Sequence, residues 1–276
     1  MSLKELINQA YREKNAIGGF GVYNLESARA VVEAANKTKK AVFLMMTEKS
    51  LDYAGFENLI EIVKRLKKES KTEVFLHSDH GSNVEVIKNC IAAGFDSVMF
   101  DGSKLPLDQN IEISKNLRLA AHRKNVIFEG EVGCIGGRED YARSSEFKTN
   151  PSEALQYANE VKPDLLAVAI GNIHGERTAA EQLDFTLLGL IQDTIKMPIV
   201  LHGCSNRQER EYKVAISEGV VKINIDTELR EKFVDGLNHA LRRREKDPRE
   251  ILNTAAGEIS KRVQEKINIF SAGSHL

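Results

Sequence analysis

Eight times along the chain a short apolar run is followed by a segment with a helical stripe, and no other feature narrows the fold as far. The runs cover residues 17–23, 41–47, 72–80, 97–102, 126–133, 165–170, 198–201 and 220–225. Helical patterns at 25–36, 56–69, 84–93, 107–122, 152–161, 185–195, 208–218 and 228–242 follow them in turn. Within 56–69 the apolar residues Leu59, Ile62, Val63 and Leu66 fall on one helix face, as do Ile111, Leu117 and Ala121 in the next long helix but one. Asn24 stands where an N-cap belongs, and Pro151 where a missing N–H costs least. Strands apolar on both faces suit a parallel sheet covered by helices, so eight such units in 276 residues predict an α/β fold, the (β/α)8 TIM barrel. A doubly wound sheet is the alternative, because period alone does not separate a closed sheet from an open one. An amphipathic helix over 1–10 precedes the barrel, a further helix over 250–267 follows it, and the charged, irregular stretch 134–150 predicts a mobile loop. No linker or shift of composition divides the chain, so one barrel domain is expected over 1–276.

Charge and cysteine content exclude several function classes. Lys and Arg total 39 against 40 Asp and Glu, a balance that leaves no field to attract a polyanion, so nucleic acid is not an expected partner. Cys90, Cys134 and Cys204 are widely spaced with no Cys-x-x-Cys pair, which argues against a disulfide framework or a thiolate zinc site and for a reducing cytoplasm. No apolar run approaches the ~18 residues of a membrane span.

In a barrel the chemistry sits at the carboxyl ends of the strands. Those positions hold Asp79 and His80, Asp101, Glu131, His174, His202 and Gly203, then Asn224 and Asp226. Three of the ends read His80-Gly81, His174-Gly175 and His202-Gly203. Three imidazoles brought together from separate strand ends could hold a borderline divalent ion such as Zn²⁺ and leave a coordination position open for catalysis. Asp79 and His80 would face opposite ways in an unbroken strand, so both reach the site only if the chain turns there, which Gly81 makes easy.

The chain resembles the class II, metal-dependent fructose-bisphosphate and tagatose-bisphosphate aldolases. The resemblance is carried, in family order, by His77-Ser78-Asp79-His80-Gly81, Glu129-Gly130-Glu131-Val132-Gly133 with Gly136-Gly137-Arg138-Glu139-Asp140, Gly171-Asn172-Ile173-His174-Gly175, Leu201-His202-Gly203 and Lys222-Ile223-Asn224-Ile225-Asp226-Thr227. It implies reversible aldol cleavage of a phosphorylated ketose to dihydroxyacetone phosphate and an aldehyde, with a place in glycolysis or related carbohydrate metabolism. His80, His174 and His202 would bind Zn²⁺ or another divalent metal such as Co²⁺, with Glu131 as a ligand for an alternative metal position; a monovalent cation is a further expected cofactor. His77 is left as a structural neighbour of the metal ligands. Asp79 would exchange the proton of the C4 hydroxyl and Glu139 the proton at the carbanion carbon, two carboxylates for the two proton transfers of an aldol reaction. Substrate would be held by Thr47, Gly175, Gly203, Ser205, Asn224, Asp226 and Thr227. Arg249 matches a family position that reaches the second phosphate from an adjacent subunit, which implies a homodimer or homotetramer.

The sequence departs from the family pattern in three places. Ser78 stands where Leu is common, Gly21 where Asn is common, and Gly203-Cys204-Ser205-Asn206 replaces a Gly-Gly-(Ser/Thr)-Gly run. Cys204 puts a side chain where backbone meets phosphate, and Asn206 adopts positive φ less readily than glycine. The expectation is an intact metal centre with an altered phosphate end, and a catalytically weak relative that binds a sugar phosphate or a partner is the alternative from another class. A Schiff-base mechanism is disfavoured because the sixth strand ends in Gly171-Asn172-Ile173-His174 and Lys222 lies within an apolar run. A metal-dependent hydrolase is disfavoured because no His-x-His pair ends an early strand. Fructose and tagatose phosphates differ at one stereocentre, which the sequence does not read.

Overall fold

The structure is a computed structural model that describes residues 1–137, 148–175 and 182–273. Eight parallel strands close into a barrel: β1 (Ile17–Gly21), β2 (Val42–Thr47), β3 (Val74–Gly81), β4 (Ser97–Phe100), β5 (Ile127–Val132), β7 (Leu165–Val168), β9 (Ile199–Leu201) and β10 (Val220–Ile225). Strand β1 closes the ring by pairing with β10, Ile17 beside Lys222 and Gly19 beside Asn224. Each of the eight runs read from the sequence forms one of these strands. The open-sheet alternative is excluded by that closure.

Two layers of core follow from strand alternation. Outward-facing residues such as Leu44, Leu76, Phe128, Leu166 and Ile223 pack under the helices, while Ile17, Phe43, Phe75, Ile127 and Leu165 fill the barrel's lower interior, joined by Val221 at the register shift between Val220 and Lys222. Helix α1 (Leu3–Glu13) covers that end with Leu3, Ile7 and Ala10, and its start is fixed by a capping box between Ser2 and Glu5. The amino-terminal mouth is therefore plugged, and the opposite mouth carries the polar residues.

The outer helices are α2 (Leu25–Thr38), α4 (Phe56–Glu69), α5 (Val84–Ala92), α6 (Leu107–His122), α7 (Pro151–Val161), α8 (Phe185–Ile195), α9 (Glu209–Ser217) and α10 (Thr227–Arg242). Asn24 caps α2 by accepting from Ser27 N, and Pro151 opens α7 behind the cap Asn150. In α4 the buried face is Leu59, Ile60 and Val63, so Ile60 takes the place expected of Ile62. Helix α11 (Pro248–Ser271) extends four residues beyond the expected end and buries Ile259, Val263, Ile267 and Phe270. It crosses α10 so closely that a Cβ on Gly236 would stand 2.5 Å from the Ala255 Cα.

Three short elements are not legible in the pattern. Helix α3 (Glu48–Ala54) follows β2 directly, capped by the Thr47 hydroxyl, and is too short for its stripe to register. Inside the stretch read as loop, β6 (Gly136–Gly137) pairs in parallel with β8 (Ile173–His174), a ladder outside the barrel.

Candidate active site

The strand ends converge because inward-facing positions on adjacent strands stack across the barrel. On β3 these are Phe75, His77 and Asp79; on β5, Ile127, Glu129 and Glu131; on β10, Lys222 and Asn224. The stack is apolar at the bottom and charged above. Lys222 Nζ lies 2.8 Å from Glu129 Oε2 and 3.0 Å from His77 Nε2, fully buried rather than open to the mouth.

His80 escapes strand alternation through its own backbone. It has φ 99°, and β3 changes register against β4 between Ser78 and Gly81. The turn expected at Gly81 is thus made by His80, a conformation that costs about 1–3 kcal/mol outside glycine and clusters at functional sites. Gly81 serves packing instead: a Cβ there would come 2.6 Å from Ile87 and 2.9 Å from the Met99 carbonyl oxygen. Glu48, on the unforeseen α3, steadies the following turn by accepting from Ser82 N at 2.9 Å and Asn83 N at 2.8 Å.

Two sets of donors share His80. In one, ligand atoms of Asp79, His80 and His202 all lie within 4.8 Å of one another; in the other, those of His80, Asp101 and Glu131 do. The His80 and His202 rings meet edge to face with centroids 4.4 Å apart. His80 Nδ1 is 3.5 Å from Asp101 Oδ2 and 3.9 Å from Glu131 Oε2. Both carboxylate oxygens of Glu131 are buried, and beyond the His80 ring and the Ile135 backbone no group among the described residues satisfies them. Such a pair of buried acceptors beside an imidazole is what a cation satisfies, and the mixed imidazole and carboxylate set suits a divalent ion of the zinc type.

The electrostatics agree. Burial alone would lower the His80 pKa, but Asp79, Asp101 and Glu131 outweigh it and push it up to about 10. Burial and the neighbouring His80 lower His202 to about 4. Glu131 is raised well above the carboxylate range by burial and by Asp101. Burial opposes ionisation of Asp79, yet His80, His77 and His202 hold it well below the usual range. Asp79 and Asp101, both held below the usual carboxylate range, thus set ionised groups beside His80.

A pocket opens above this cluster, and the predicted substrate residues Thr47, Gly175, Gly203, Ser205, Asn224, Asp226 and Thr227 all line it, with Asp79, His80 and His202. Asn224 Nδ2 donates to Asp79 Oδ1 at 2.9 Å. The Gly203 loop passes so close to β8 that a Cβ on Gly203 would meet Ile173 backbone atoms at 2.7–2.9 Å. Buried Asn172 ties the segments together, accepting from Ile170 N and donating to the His202 carbonyl at 3.0 Å. The sequence departures are accommodated: Asn206 takes φ 57°, and the buried Cys204 thiol donates to the His202 carbonyl. Ser205 Oγ accepts from Glu228 N, so the loop is joined to the first turn of α10, whose N-terminus carries positive partial charge.

Of the remaining expected residues, His174 lies on β8 beside Gly137, and its side chain is outside the described structure. Glu139 falls outside the described residues. Arg249 is at the start of α11, exposed and folded back on Asp247, away from this chain's pocket. His122, at the end of α6, bonds Asp164 at 2.7 Å. Asp101, expected only as a member of the polar ring, stands beside His80 in one of the two donor sets. Arg230 lines the pocket, forms an ion pair with Asp226 Oδ2 at 3.2 Å and donates to Thr227 Oγ1 at 3.3 Å, an i+4 and i+3 spacing.

The chain is similar to the YdjI aldolase from Escherichia coli K12, whose crystal structure is 28% identical, with a TM-score of 0.87 over 98% of this chain and 96% of that one. It shares its fold with the fructose-bisphosphate aldolase of Campylobacter jejuni, at 23% identity and a TM-score of 0.86, over 100% and 97% of the two chains. The family model described as fructose-bisphosphate aldolase class-II matches residues 1–275, and the chain belongs to that family.

Proposed function

We propose that this protein catalyses divalent-metal-dependent aldol cleavage and condensation of a phosphorylated ketose, of the fructose or tagatose 1,6-bisphosphate type, with dihydroxyacetone phosphate as one product. The observation that carries this reading is the pair of donor sets meeting at His80, with the buried Glu131 carboxylate beside it, directly beneath a pocket that ends at a helix N-terminus. His80, His174 and His202 hold the ion, with Glu131 available for an alternative position, and zinc or cobalt suits the set. The ion supplies a Lewis acid for the ketose carbonyl.

The chain's own residues divide the remaining work. Asp79, ionised by its imidazole neighbours and oriented by the Asn224 amide, takes the C4 hydroxyl proton as the carbon–carbon bond breaks. Glu139 exchanges the proton at the carbanion carbon. Gly203, Ser205, Asp226, Thr227 and Arg230 form the phosphate end, and Gly175, Thr47 and Asn224 face the sugar between. Lys222, sealed between Glu129 and His77, supports this route over a lysine Schiff base. The outward Arg249 suits a homodimer or homotetramer in which it serves a neighbour's site. The working protein is one cytoplasmic barrel domain.

The test is a panel of mono- and bisphosphorylated ketoses read by release of dihydroxyacetone phosphate, with and without EDTA. Cleavage that EDTA abolishes and Zn²⁺ or Co²⁺ restores is expected; cleavage indifferent to chelator overturns the metal mechanism.

A further inference from the structure

Beneath the pocket runs an internal chain of polar groups: Ser97 Oγ, the His77 ring, Lys222 Nζ, the Glu129 carboxylate and the His202 ring, in contact at 3.0, 3.0, 2.8 and 2.8 Å in that order. Every member is at 0% exposure. Burying an ion pair and two imidazoles in the middle of a barrel costs more than filling the same volume with apolar side chains, so the group is not explained by stability.

We infer that Glu129 and Lys222 are positioning residues for the metal, fixing His202 in the tautomer that leaves Nδ1 with a lone pair for the ion. The inference rests on the metal reading given above. Lys222 has only N–H donors, so the Glu129 oxygen and the His77 nitrogen that face it both accept. His77 accordingly carries its hydrogen on Nδ1, where it meets Ser97 Oγ. The second Glu129 oxygen faces His202 Nε2 at 2.8 Å. A carboxylate paired with an ammonium brings no hydrogen to that contact, and the hydrogen must be on Nε2.

The other edge of the His202 ring requires the same tautomer. Asn224 Nδ2 is 2.9 Å from Asp79 Oδ1, an acceptor, so the amide presents its NH₂ group there. The remaining N–H of that group points to His202 Nδ1 at 3.2 Å, which therefore accepts. Two independent contacts thus place the His202 lone pair on Nδ1, the nitrogen nearest Asp79, where a bound ion would take the place of the Asn224 N–H. A ligand histidine whose other N–H is held by a carboxylate is fixed in orientation and made more basic, and loss of that carboxylate costs about 10–100-fold in metal affinity.

The order of partners permits a test that packing alone would not satisfy. In Glu129→Gln the shape is kept, but Lys222 holds the amide oxygen and turns the NH₂ group toward His202 Nε2. That group donates where the carboxylate accepted, which drives the His202 hydrogen to Nδ1. Removing Lys222 as well, in Glu129→Gln/Lys222→Met, frees the amide to turn over and present its oxygen again. Zn²⁺ affinity of the full chain, measured by competition with a chromogenic chelator, is expected to fall about 10–100-fold in Glu129→Gln and to recover at least partly in the double variant. Glu129→Gln binding as tightly as wild type, or a double variant no tighter than the single one, overturns the positioning role. The ¹⁵N shifts of His202 in the wild-type chain provide a readout that needs no variant to fold: Nε2–H is expected, and Nδ1–H overturns the proposal. A wild-type chain that binds no Zn²⁺ overturns the metal reading itself, a different failure from wild-type binding that Glu129→Gln leaves untouched.

Discussion

The carboxylate of Asp226 occupies the space above Gly21: a Cβ on residue 21 would overlap Asp226 Oδ1. Where the family commonly carries Asn at position 21, this chain lets Asp226 lie back over β1 while holding Arg230 at 3.2 Å. Gly21→Asn is expected to expel Asp226 and release Arg230, raising KM for a bisphosphorylated ketose about tenfold, the scale of 1–3 kcal/mol for overpacking a filled site. Steady-state kinetics check this; an unchanged KM would mean that Asp226 has another place to go.

Arg230 itself should govern the phosphate end. Arg230→Met keeps the length of the stem and removes the charge, and a lost charge-assisted hydrogen bond is worth about 1.5–3 kcal/mol. KM is expected to rise roughly 10–100-fold with kcat little changed, because a contact distant from the reacting carbons binds ground and transition states alike. A fall confined to kcat would place Arg230 in the chemistry instead.

Asp79→Ala separates proton transfer from metal binding. Loss of a positioned acid–base group lowers rate about 10²–10⁴-fold, while the zinc content measured by atomic absorption is expected to stay near one per chain through the remaining ligands. Loss of the metal with the rate retained would reverse the assignment.

Asp164 offers a stability test away from the pocket. Its carboxylate accepts from Phe128 N at 3.0 Å, bonds His122 and receives Lys4, joining α1, α6 and β5 at the plugged end of the barrel. Burial would raise its pKa, but these contacts hold it below the usual carboxylate value. The protons are thus bound more tightly by the unfolded chain, so the stabilisation is complete above the unfolded pKa of ~3.9 and is lost as pH falls through the lower folded value. Asp164→Asn is expected to cost about 1–3 kcal/mol at pH 7. In urea titrations the gap from wild type should narrow below pH 4; a gap that widens in acid contradicts the ionised contact.

Gly236→Leu should loosen α11. The backbone approach of α10 and α11 at Gly236 and Ala255 admits no side chain, so a melting temperature lowered by several degrees is expected from a cost of 1–3 kcal/mol. Helix α11 reaches back to α2 and to β1 near Ala16, whose N–H donates to the Phe270 carbonyl at 3.0 Å, and the effect should spread to thermal inactivation.

Sequence alone determined the barrel and most of its mouth. The alternation of apolar runs and helical stripes is local chemistry: each run is buried on two faces and each stripe on one, and the polar residue ending a run is marked by the change itself. That is why Asp79, His80, His202, Asn224 and Asp226 could be named before any coordinates. Tertiary structure decided the rest, because it depends on residues far apart in the chain. Lys222 reads as a flaw in an apolar strand until Glu129 and His77 face it from across the barrel. Asp101 and Arg230 take on meaning only beside His80 and above Asp226. His80 turns the chain through a backbone angle that no periodicity encodes. Which charges face each other inside a closed sheet is set by register and closure, and neither leaves a trace along a single strand.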